Sequence, residues 1–212
     1  MARANTIRME FETLKKDRIR GQAEQLFYER GFSGTTMEAI ADSLRATKPF
    51  LYGAYAKKTD ILVDIHMSVV QRILQAVESA RALPVPASQK LHQFARGLAE
   101  MTLNNQAAVA IYFREEASLP PRQLRKINDV KGKIDESLAG LLEEGVAAGE
   151  FHLDDVRLAA LAIGGMISWT YTWYRPGGRL DIAGIAAHMA DYALRVAGAR
   201  PDTPINPKET SR

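Results

Sequence analysis

The sequence predicts an all-α protein of roughly nine helices, in which three short helices precede a larger helical bundle. Apolar residues recur at spacings of three and four along most of the chain, which is the period of a helix with one buried face. No segment alternates apolar and polar residues as a half-exposed strand does, and no fixed repeat is present. Glycine and proline residues interrupt the apolar stretches and mark the expected helix ends.

The composition is that of a globular protein with a basic N-terminal third. The 212 residues are 46% apolar and 25% charged, enough to bury a core. The absence of cysteine excludes disulfides, thiolate metal sites and a cysteine nucleophile. The net charge is +3, and the first 60 residues carry all of this excess, with 11 Lys and Arg against 8 Asp and Glu. This asymmetry indicates a module that meets an anion.

The N-terminal sequence does not predict a signal peptide. Its first 20 residues are charged throughout and lack the apolar run of a signal peptide. The longest uncharged stretch, residues 158–174, is at the lower length limit of a membrane span, but it contains glycines and hydroxyl side chains. We therefore expect a buried helix there, and a cytoplasmic protein that does not contact a membrane.

Helix boundaries follow from the apolar periodicity and from the residues that start and stop helices. The first helix, residues 15–30, places Ile19 and Phe27 on one face and ends at Gly31. The polar segment before residue 15 is expected to fray. The remaining predicted helices span residues 35–44, 47–55, 59–81, 88–102, 106–116, 121–148, 155–174 and 181–196.

Two threonines are placed to begin the second and third helices. Thr35 and Glu38 have the spacing of a capping box, in which each side chain binds a main-chain N–H of the first turn. Thr47 is positioned to cap the third helix, and Pro49 is tolerated in its first turn because the N–H groups there have no helical partner. Two short helices joined by a tight connection at residues 45–46 have the plan of a helix–turn–helix.

A helix–turn–helix binds duplex DNA when one helix enters the major groove, which is about 12 Å wide, and polar groups near the helix ends contact phosphates. Threonine, tyrosine, lysine and arginine side chains on or beside the two short helices supply such groups. Phe50 is a candidate for contact with a thymine methyl group or, alternatively, for packing. The candidate DNA-contacting residues are Thr35, Thr36, Arg45, Thr47, Lys48, Pro49, Phe50, Tyr52, Tyr55, Lys57 and Lys58.

Residues 19–62 resemble the DNA-binding domain of the tetracycline-repressor family of bacterial regulators. The matching residues, in order, are Gly31-Phe32, Thr35-Thr36, Ile40-Ala41, Leu51-Tyr52, Tyr55, Lys58 and Asp60-Ile61-Leu62. The resemblance implies a transcriptional regulator, by expectation a repressor, that binds a palindromic operator on double-stranded DNA as a homodimer. The sequence departs from the family at Arg45, where the turn usually has glycine, and at Phe50 and Ala54, so the operator sequence is not carried over.

The resemblance also implies a DNA-binding domain at residues 1–58 and an effector-binding and dimerisation domain at residues 59–197. Residues 198–212, rich in proline, threonine and charge, are a predicted flexible tail. Apolar and small residues recur at helical spacing in the last two helices, which suits either a four-helix interface between subunits or an intramolecular core. The candidate interface residues are Leu158, Leu161, Gly165, Ile182, Ile185 and Met189.

Aromatic and apolar side chains with a few polar neighbours suit a cavity for a small hydrophobic effector, although each is also an ordinary core residue type. Segments 111–116 and 169–178 resemble the branch of the family that controls fatty-acid or sterol-ring breakdown. This likeness implies an acyl-coenzyme A effector whose phosphates pair with Arg114, Arg175 or Arg179, if these arginines do not form salt bridges instead. The candidate effector-binding residues are His66, Phe94, Met101, Tyr112, Phe113, Arg114, Trp169, Trp173 and Arg175.

No catalytic motif is present: the chain has no G-x-S-x-G, and its four histidines lack H-E-x-x-H spacing. We therefore expect neither an enzyme nor a cofactor or metal site. The alternative to an effector-responsive regulator is a DNA-binding architectural or partner-recruiting protein without a small-molecule ligand. A metabolite that shifts DNA affinity distinguishes the two. The effector, the operator, the regulated genes and the choice between repression and activation lie outside the sequence.

Overall fold

The computed structural model of the protein describes residues 2–199, and within them the chain is helical and has no strand, which confirms the predicted fold class. Ten α-helices and one short 3-10 helix, Glu116–Ser118, follow one another in this range. The α-helices are α1 (Ala2–Arg30), α2 (Met37–Ser43), α3 (Lys48–Tyr52), α4 (Lys58–Arg81), α5 (Ala87–Asn104), α6 (Gln106–Arg114), α7 (Pro121–Ala147), α8 (Val156–Ser168), α9 (Thr170–Trp173) and α10 (Ile182–Val196). Trp169 alone separates α8 from α9, so these two correspond to one predicted helix.

The first helix is longer than predicted, because α1 begins at Ala2 instead of residue 15. The segment before residue 15 contains no proline or glycine, so nothing in it breaks a helix. The Thr13 hydroxyl donates a hydrogen bond to the Met9 carbonyl at 3.0 Å, within the added turns. Apolar periodicity did not reveal these turns because their large apolar side chains, Met9, Phe11 and Leu14, are exposed.

The described chain forms two compact units. The first runs through Val69 and includes Ala107–Ile127, and the second consists of Val70–Gln106 and the residues from Asn128 onward. The first unit is thus larger than the DNA-binding domain predicted at residues 1–58, because α6 packs within it. That functional boundary stays a prediction, and the predicted tail lies outside the described residues from position 200 onward.

The apolar face of α1 forms part of the hydrophobic core of the first unit. The side chains of Ile19, Ala23, Leu26 and Phe27 are all buried there, as their spacing predicted. Helices α2, α3 and α4 contribute further large buried side chains, which include Ile40, Leu51, Ile61, Leu62 and Ile65. Burial of such side chains contributes about 1.5–3 kcal/mol each. This tertiary packing stabilises α2 and α3, which are too short to persist as isolated helices.

Helices α5 and α10 pack along one another at the centre of the second unit, and α8 packs against both. At the end of α7, Gly149 adopts a φ of 73° that ends the helix, and the chain turns back on itself. Phe151 then lies directly over Gly145, where a β-carbon would be 2.1 Å from the ring. Phe151 is buried in the core of this unit, so the missing side chain at position 145 makes room for it.

A Gly145→Ala substitution is expected to destabilise the protein, whereas Gly132→Ala in the same helix is not. A methyl group at position 145 would displace the Phe151 ring, 2.1 Å away, and overpacking of this kind costs about 1–3 kcal/mol. Around Gly132 the described residues leave open space, so alanine there should add up to about 1 kcal/mol of helix stability. Thermal unfolding followed by circular dichroism measures both, and a Gly145→Ala protein as stable as the wild type would contradict this packing.

Candidate nucleic-acid interface

The two short helices and the turn between them form a helix–turn–helix. α2 follows Thr36, whose side-chain oxygen accepts a hydrogen bond from the Ala39 N–H at 3.1 Å. α3 follows Thr47, whose hydroxyl oxygen accepts from the Phe50 N–H at 3.4 Å. Thr47 therefore caps α3 as predicted, but the cap of α2 is Thr36 instead of Thr35. Both capping residues are exposed.

Arg45 determines the shape of the turn. Its φ of 51° lies in the left-handed region, which no other non-glycine residue in the described chain adopts. The Arg45 N–H donates to the Asp42 carbonyl and the Ala46 N–H donates to the Ala41 carbonyl, both at 3.0 Å. These two bonds are the Schellman arrangement that closes a helix, in which glycine is the usual residue at this position. The departure from the family at Arg45 thus keeps the turn and adds an exposed cation.

Most of the predicted DNA contacts lie exposed on this helix–turn–helix. They are Thr36, Arg45, Thr47, Lys48, Pro49, Tyr52 and Lys57. Phe50 is half-buried beneath Lys15 of α1, whose Nζ lies 5.0 Å from the ring centroid. This cation–π contact places at the start of α3 an additional ammonium group that sequence reasoning missed. Exposed donors at these positions suit contacts to phosphates and base edges, and their role in DNA binding stays a prediction.

Lys48 forms an exposed ion pair with Glu38 of α2, with 3.3 Å between Nζ and Oε1. The pKa of the Glu38 carboxyl group is lowered, first by a hydrogen bond from its own main-chain N–H and then by Lys48. Glu38 is therefore ionised at neutral pH. Its negative charge stands beside a candidate phosphate contact and opposes the approach of DNA there.

Thr35 faces the interior instead of the solvent. It is fully buried, and its hydroxyl lies 2.9 Å from the Gly31 carbonyl oxygen and 3.3 Å from that of Leu26. A hydroxyl has one proton to donate, and here the carbonyls at the end of α1 receive it. The prediction of Thr35 as a helix cap and DNA contact is therefore wrong, and the residue instead ties the α1–α2 loop to α1.

The ammonium group of Lys58 also forms hydrogen bonds within the protein. Its Nζ donates to the carbonyl oxygens of Phe32 and Thr35, both at 2.8 Å, and to that of Ser33 at 3.4 Å. The ammonium also lies 4.5 Å from the centroid of the Phe32 ring. An ammonium group has three protons, and all three are directed at this loop. Lys58 is therefore removed from the set of candidate DNA contacts.

Tyr55 is the third residue that the structure removes from this set. It is buried, and its hydroxyl donates to the carboxylate of Asp64 in α4. Burial, and next the hydrogen bond to Asp64, raise the pKa of the Tyr55 hydroxyl. Arg20 of α1 lies 3.5 Å from the same Asp64 carboxylate. The network fastens the segment after α3 to α4 and α1, and sequence reasoning missed Asp64 and Arg20 because their partners are distant along the chain.

The first unit brings together four of the candidate effector-binding residues. The ring of the fully buried His66 lies 5.5 Å from that of Tyr112, and the Tyr112 ring lies 5.0 Å from that of Phe113. The next residue, Arg114, places its guanidinium 5.8 Å from the ring centroid of Tyr28 on α1. His66, Tyr112 and Phe113 therefore form a chain of ring contacts, whereas Arg114 contacts α1.

The second unit contains a cavity of about 550 Å³ with aromatic and cationic walls. Two of the candidate effector-binding residues, Trp173 and Arg175, line it, and their role in effector binding stays a prediction. Arg175 also donates to the Thr172 and Tyr174 carbonyls, so part of its guanidinium is engaged by the main chain. The full lining is Trp173, Tyr174, Arg175, Gly178, Arg179, Leu180, Ile185, His188, Met189 and Tyr192.

The remaining effector candidates lie elsewhere in the second unit. Phe94 is buried in its core, and Met101 packs against that core. Trp169 is 58% exposed and does not line the cavity. Trp173 and Arg175 were candidates from residue type and family resemblance. His188 and Tyr192, which also line the cavity, were not among the candidates; they come from α10, and their rings stack with 6.2 Å between centroids.

One side of α8 presents apolar side chains to solvent. Leu158 is 63% exposed and Leu161 is 60% exposed, and a β-carbon at Gly165 would contact none of the described residues. On α10, in contrast, Ile185 and Met189 are buried in the core of their own unit, and Ile182 packs against it. The prediction of Ile185 and Met189 as interface residues is corrected accordingly, since they belong to the side of α10 that packs within the unit. The exposed side of α10 carries Tyr192 and Val196.

These features define a class of protein: a DNA-binding transcriptional regulator with an N-terminal helix–turn–helix. Residues 19–65 match the family profile described as bacterial regulatory proteins, tetR family. Residues 84–197 match the profile described as tetracyclin repressor-like, C-terminal domain. The chain belongs to this family of transcriptional regulators, which confirms the sequence-based prediction.

Known relatives agree with this assignment. The transcriptional repressor KstR2 of Rhodococcus jostii (strain RHA1) is 27% identical over 81% of this chain and 85% of its own length. A solved regulatory protein of the tetR family from Rhodococcus RHA1 is 27% identical, covers 88% of this chain and 98% of its own, and has a TM-score of 0.80. The fold is also that of AibR, solved with isovaleryl coenzyme A and operator DNA, at 24% identity, coverage of 87% and 98%, and a TM-score of 0.73.

Two further properties hold for the described residues. None of their helices combines the length and the apolar character that crossing a bilayer requires. Nor do their histidine and acidic side chains gather into a group that could hold a metal ion.

A Glu38→Gln substitution is expected to tighten binding to operator DNA, because it removes the negative charge beside Lys48. The glutamine side chain has nearly the same size and can still form hydrogen bonds. If the released ammonium contacts a phosphate, the slope of log affinity against log salt should steepen by up to about 0.9. Fluorescence anisotropy on a labelled duplex at several salt concentrations measures both quantities. The matched control is Glu100→Gln, which breaks another exposed ion pair, with Arg96 at 3.1 Å, outside the helix–turn–helix. Unchanged affinity and slope for Glu38→Gln would contradict a role of Lys48 in DNA binding.

Proposed function

We propose that this protein represses transcription from a palindromic operator and leaves that operator when an acyl-coenzyme A thioester binds. The observation that carries the effector assignment is the cavity of about 550 Å³ that combines aromatic walls with Arg175, Arg179 and His188. Its volume is within the range of small-molecule sites and large enough for one part of a thioester. Aromatic and aliphatic walls suit an acyl chain or an adenine ring, and guanidinium groups suit the phosphates.

Relatives support this proposal. KstR2 of Rhodococcus jostii is named a repressor, and the AibR structure contains isovaleryl coenzyme A together with operator DNA. Both comparisons span more than four fifths of this chain. Repression, instead of activation, additionally requires that the operator overlaps the promoter, which is a property of the DNA.

The homodimer is proposed to form through α8 and the exposed side of α10. Leu158, Leu161 and Trp169 present large apolar surfaces to solvent along α8, and such contiguous patches mark interaction sites. The open space above Gly165 permits close approach of a second helix. A two-fold axis would pair the same surface of both subunits. It would also set two recognition helices about 34–36 Å apart, on successive major grooves.

Release of DNA requires that the effector binds the DNA-free conformation more tightly than the DNA-bound one. Helix α4 is the proposed lever, because its first part belongs to the unit with the helix–turn–helix and its last part belongs to the other unit. A coupling free energy of about 1–3 kcal/mol between the two ligands corresponds to about 5- to 150-fold induction. In this proposal the protein acts by binding alone, without catalysing a reaction, in the cytoplasm where its operator lies.

The test is native mass spectrometry of the protein with acetyl-, isovaleryl- and decanoyl-coenzyme A, paired with gel shifts on its own upstream DNA. We expect at least one thioester to bind the dimer and to release the DNA. An Arg179→Ala variant should bind that thioester about 10- to 100-fold more weakly, because a charge-assisted contact to a phosphate is lost. Its DNA affinity without thioester should equal that of the wild type.

Arg125→Ala is the matched control, since Arg125 is an exposed arginine that does not line the cavity. Thioester binding by this variant should be unchanged. DNA binding that no thioester alters would overturn the effector proposal in favour of an architectural or partner-recruiting protein. If Arg179→Ala and the wild type bind the thioester with equal affinity, the cavity is not the thioester site.

A further inference from the structure

We propose that Glu115, at the C-terminal end of α6, positions the helix–turn–helix directly through the main chain of Phe32. The family profile for the C-terminal domain begins at residue 84, yet Ala107–Ile127 belongs to the same compact unit as the helix–turn–helix. The end of α6 is therefore part of the effector domain in sequence and part of the DNA-binding unit in its contacts. Glu115 accepts the hydrogen bond that links this segment of the effector domain to Phe32, in the loop before α2.

Phe32 is held from two sides. Its N–H donates to Oε1 of Glu115 at 3.3 Å, and its carbonyl oxygen accepts from Nζ of Lys58 at 2.8 Å. Its ring meets the edge of Phe27 at 5.2 Å and the ammonium of Lys58 at 4.5 Å. Phe32 itself is buried, so the hydrogen bond that Glu115 accepts satisfies a main-chain group with little access to water.

The position of Phe32 determines where α2 begins. The N–H of Thr35 donates to the Phe32 carbonyl at 3.3 Å, and the next residue, Thr36, is the cap of α2. A displacement of the Phe32 peptide therefore reaches the exposed start of α2 through one turn of chain. Because the turn after α2 is closed by main-chain bonds to α2 itself, α3 would move with it.

The Glu115 carboxylate is itself oriented. Its second oxygen accepts from the Ser118 hydroxyl at 3.2 Å, in the 3-10 helix that follows α6. Its neighbour Arg114 lies over the ring of Tyr28, on the last turns of α1. Two consecutive residues at the end of α6 thus contact α1 and the loop that follows it, and they act as a short arm from α6 to the helix–turn–helix.

This arm gives the effector a route to DNA binding that does not require α4 to move first. Glu115 directly follows α6, so an effector that displaces α6 would also displace the Phe32 peptide. The predicted effector contacts Tyr112, Phe113 and Arg114 do not line the cavity proposed above, so the displacement of α6 would have to be indirect. This regulatory consequence rests on the proposed function, whereas the positioning role of Glu115 does not.

The experiment compares Glu115→Ala and Glu115→Gln with the wild type, using the full-length protein without effector. Hydrogen exchange measures the Phe32 amide, and anisotropy measures affinity for the upstream duplex. Loss of one hydrogen bond should speed Phe32 exchange and weaken DNA binding by about two- to tenfold each in Glu115→Ala. Glutamine keeps an acceptor oxygen and should restore both values. The salt slope of DNA binding should stay constant, because the phosphate contacts are unchanged.

The control is Glu78→Ala, which removes an exposed carboxylate from α4 in the other unit. It should leave exchange and affinity at wild-type values, and all variants should melt near the wild-type temperature. The proposal is overturned if Glu115→Ala matches the wild type in both readouts, or if Glu115→Gln loses as much as Glu115→Ala. Neither readout uses a thioester, so a failed effector proposal and a failed positioning proposal give different results.

Discussion

The ammonium group of Lys58 holds the loop on which the helix–turn–helix is built. It donates to three carbonyls between Phe32 and Thr35, while the Thr35 hydroxyl binds the end of α1 from the other side. These bonds satisfy main-chain groups in a segment that belongs to no helix, where unpaired buried carbonyls would cost free energy. With the loop fixed, Thr36 is placed to cap α2 and its exposed neighbours are placed to meet DNA.

The same arrangement divides the polar residues of the DNA-binding unit into two sets with different tasks. Lys58, Thr35 and Tyr55 form internal hydrogen bonds, which fasten the α1–α2 loop and the segment after α3 to the neighbouring helices. Lys48, Arg45 and Thr47 remain exposed and give the unit a surface of donors. A rigid base under an exposed set of donors is what precise recognition of a groove requires, because a loosely held set would have to be ordered when DNA binds.

Local signals in the sequence predicted the helices and the turn. They did not show which polar side chains form internal hydrogen bonds and which remain exposed to DNA. Periodicity located the buried face of α1, and cap chemistry located α3 at Thr47. The cap of α2 was misassigned by one residue because residues 35 and 36 are both threonine, a common capping residue type, and only the fold decides which of them is buried. The roles of Lys58 and Glu115 depend on Phe32, which lies 26 and 83 positions away, and no local pattern encodes such contacts. The four cavity-lining residues from α10, Ile185, His188, Met189 and Tyr192, were not predicted to line a cavity for the same reason.

Lysine footprinting on the DNA complex tests this division most directly. The protein is treated with an acetylating reagent, free and bound to its upstream duplex, and modification of each lysine is measured by mass spectrometry. The account predicts that Lys48 and Lys57 react in the free protein and are shielded by DNA. Lys58 should react slowly in both states, because carbonyl oxygens already surround its ammonium. The account would be contradicted if Lys58 reacts readily in the free protein and is shielded by DNA, while the modification of Lys48 is the same with and without DNA.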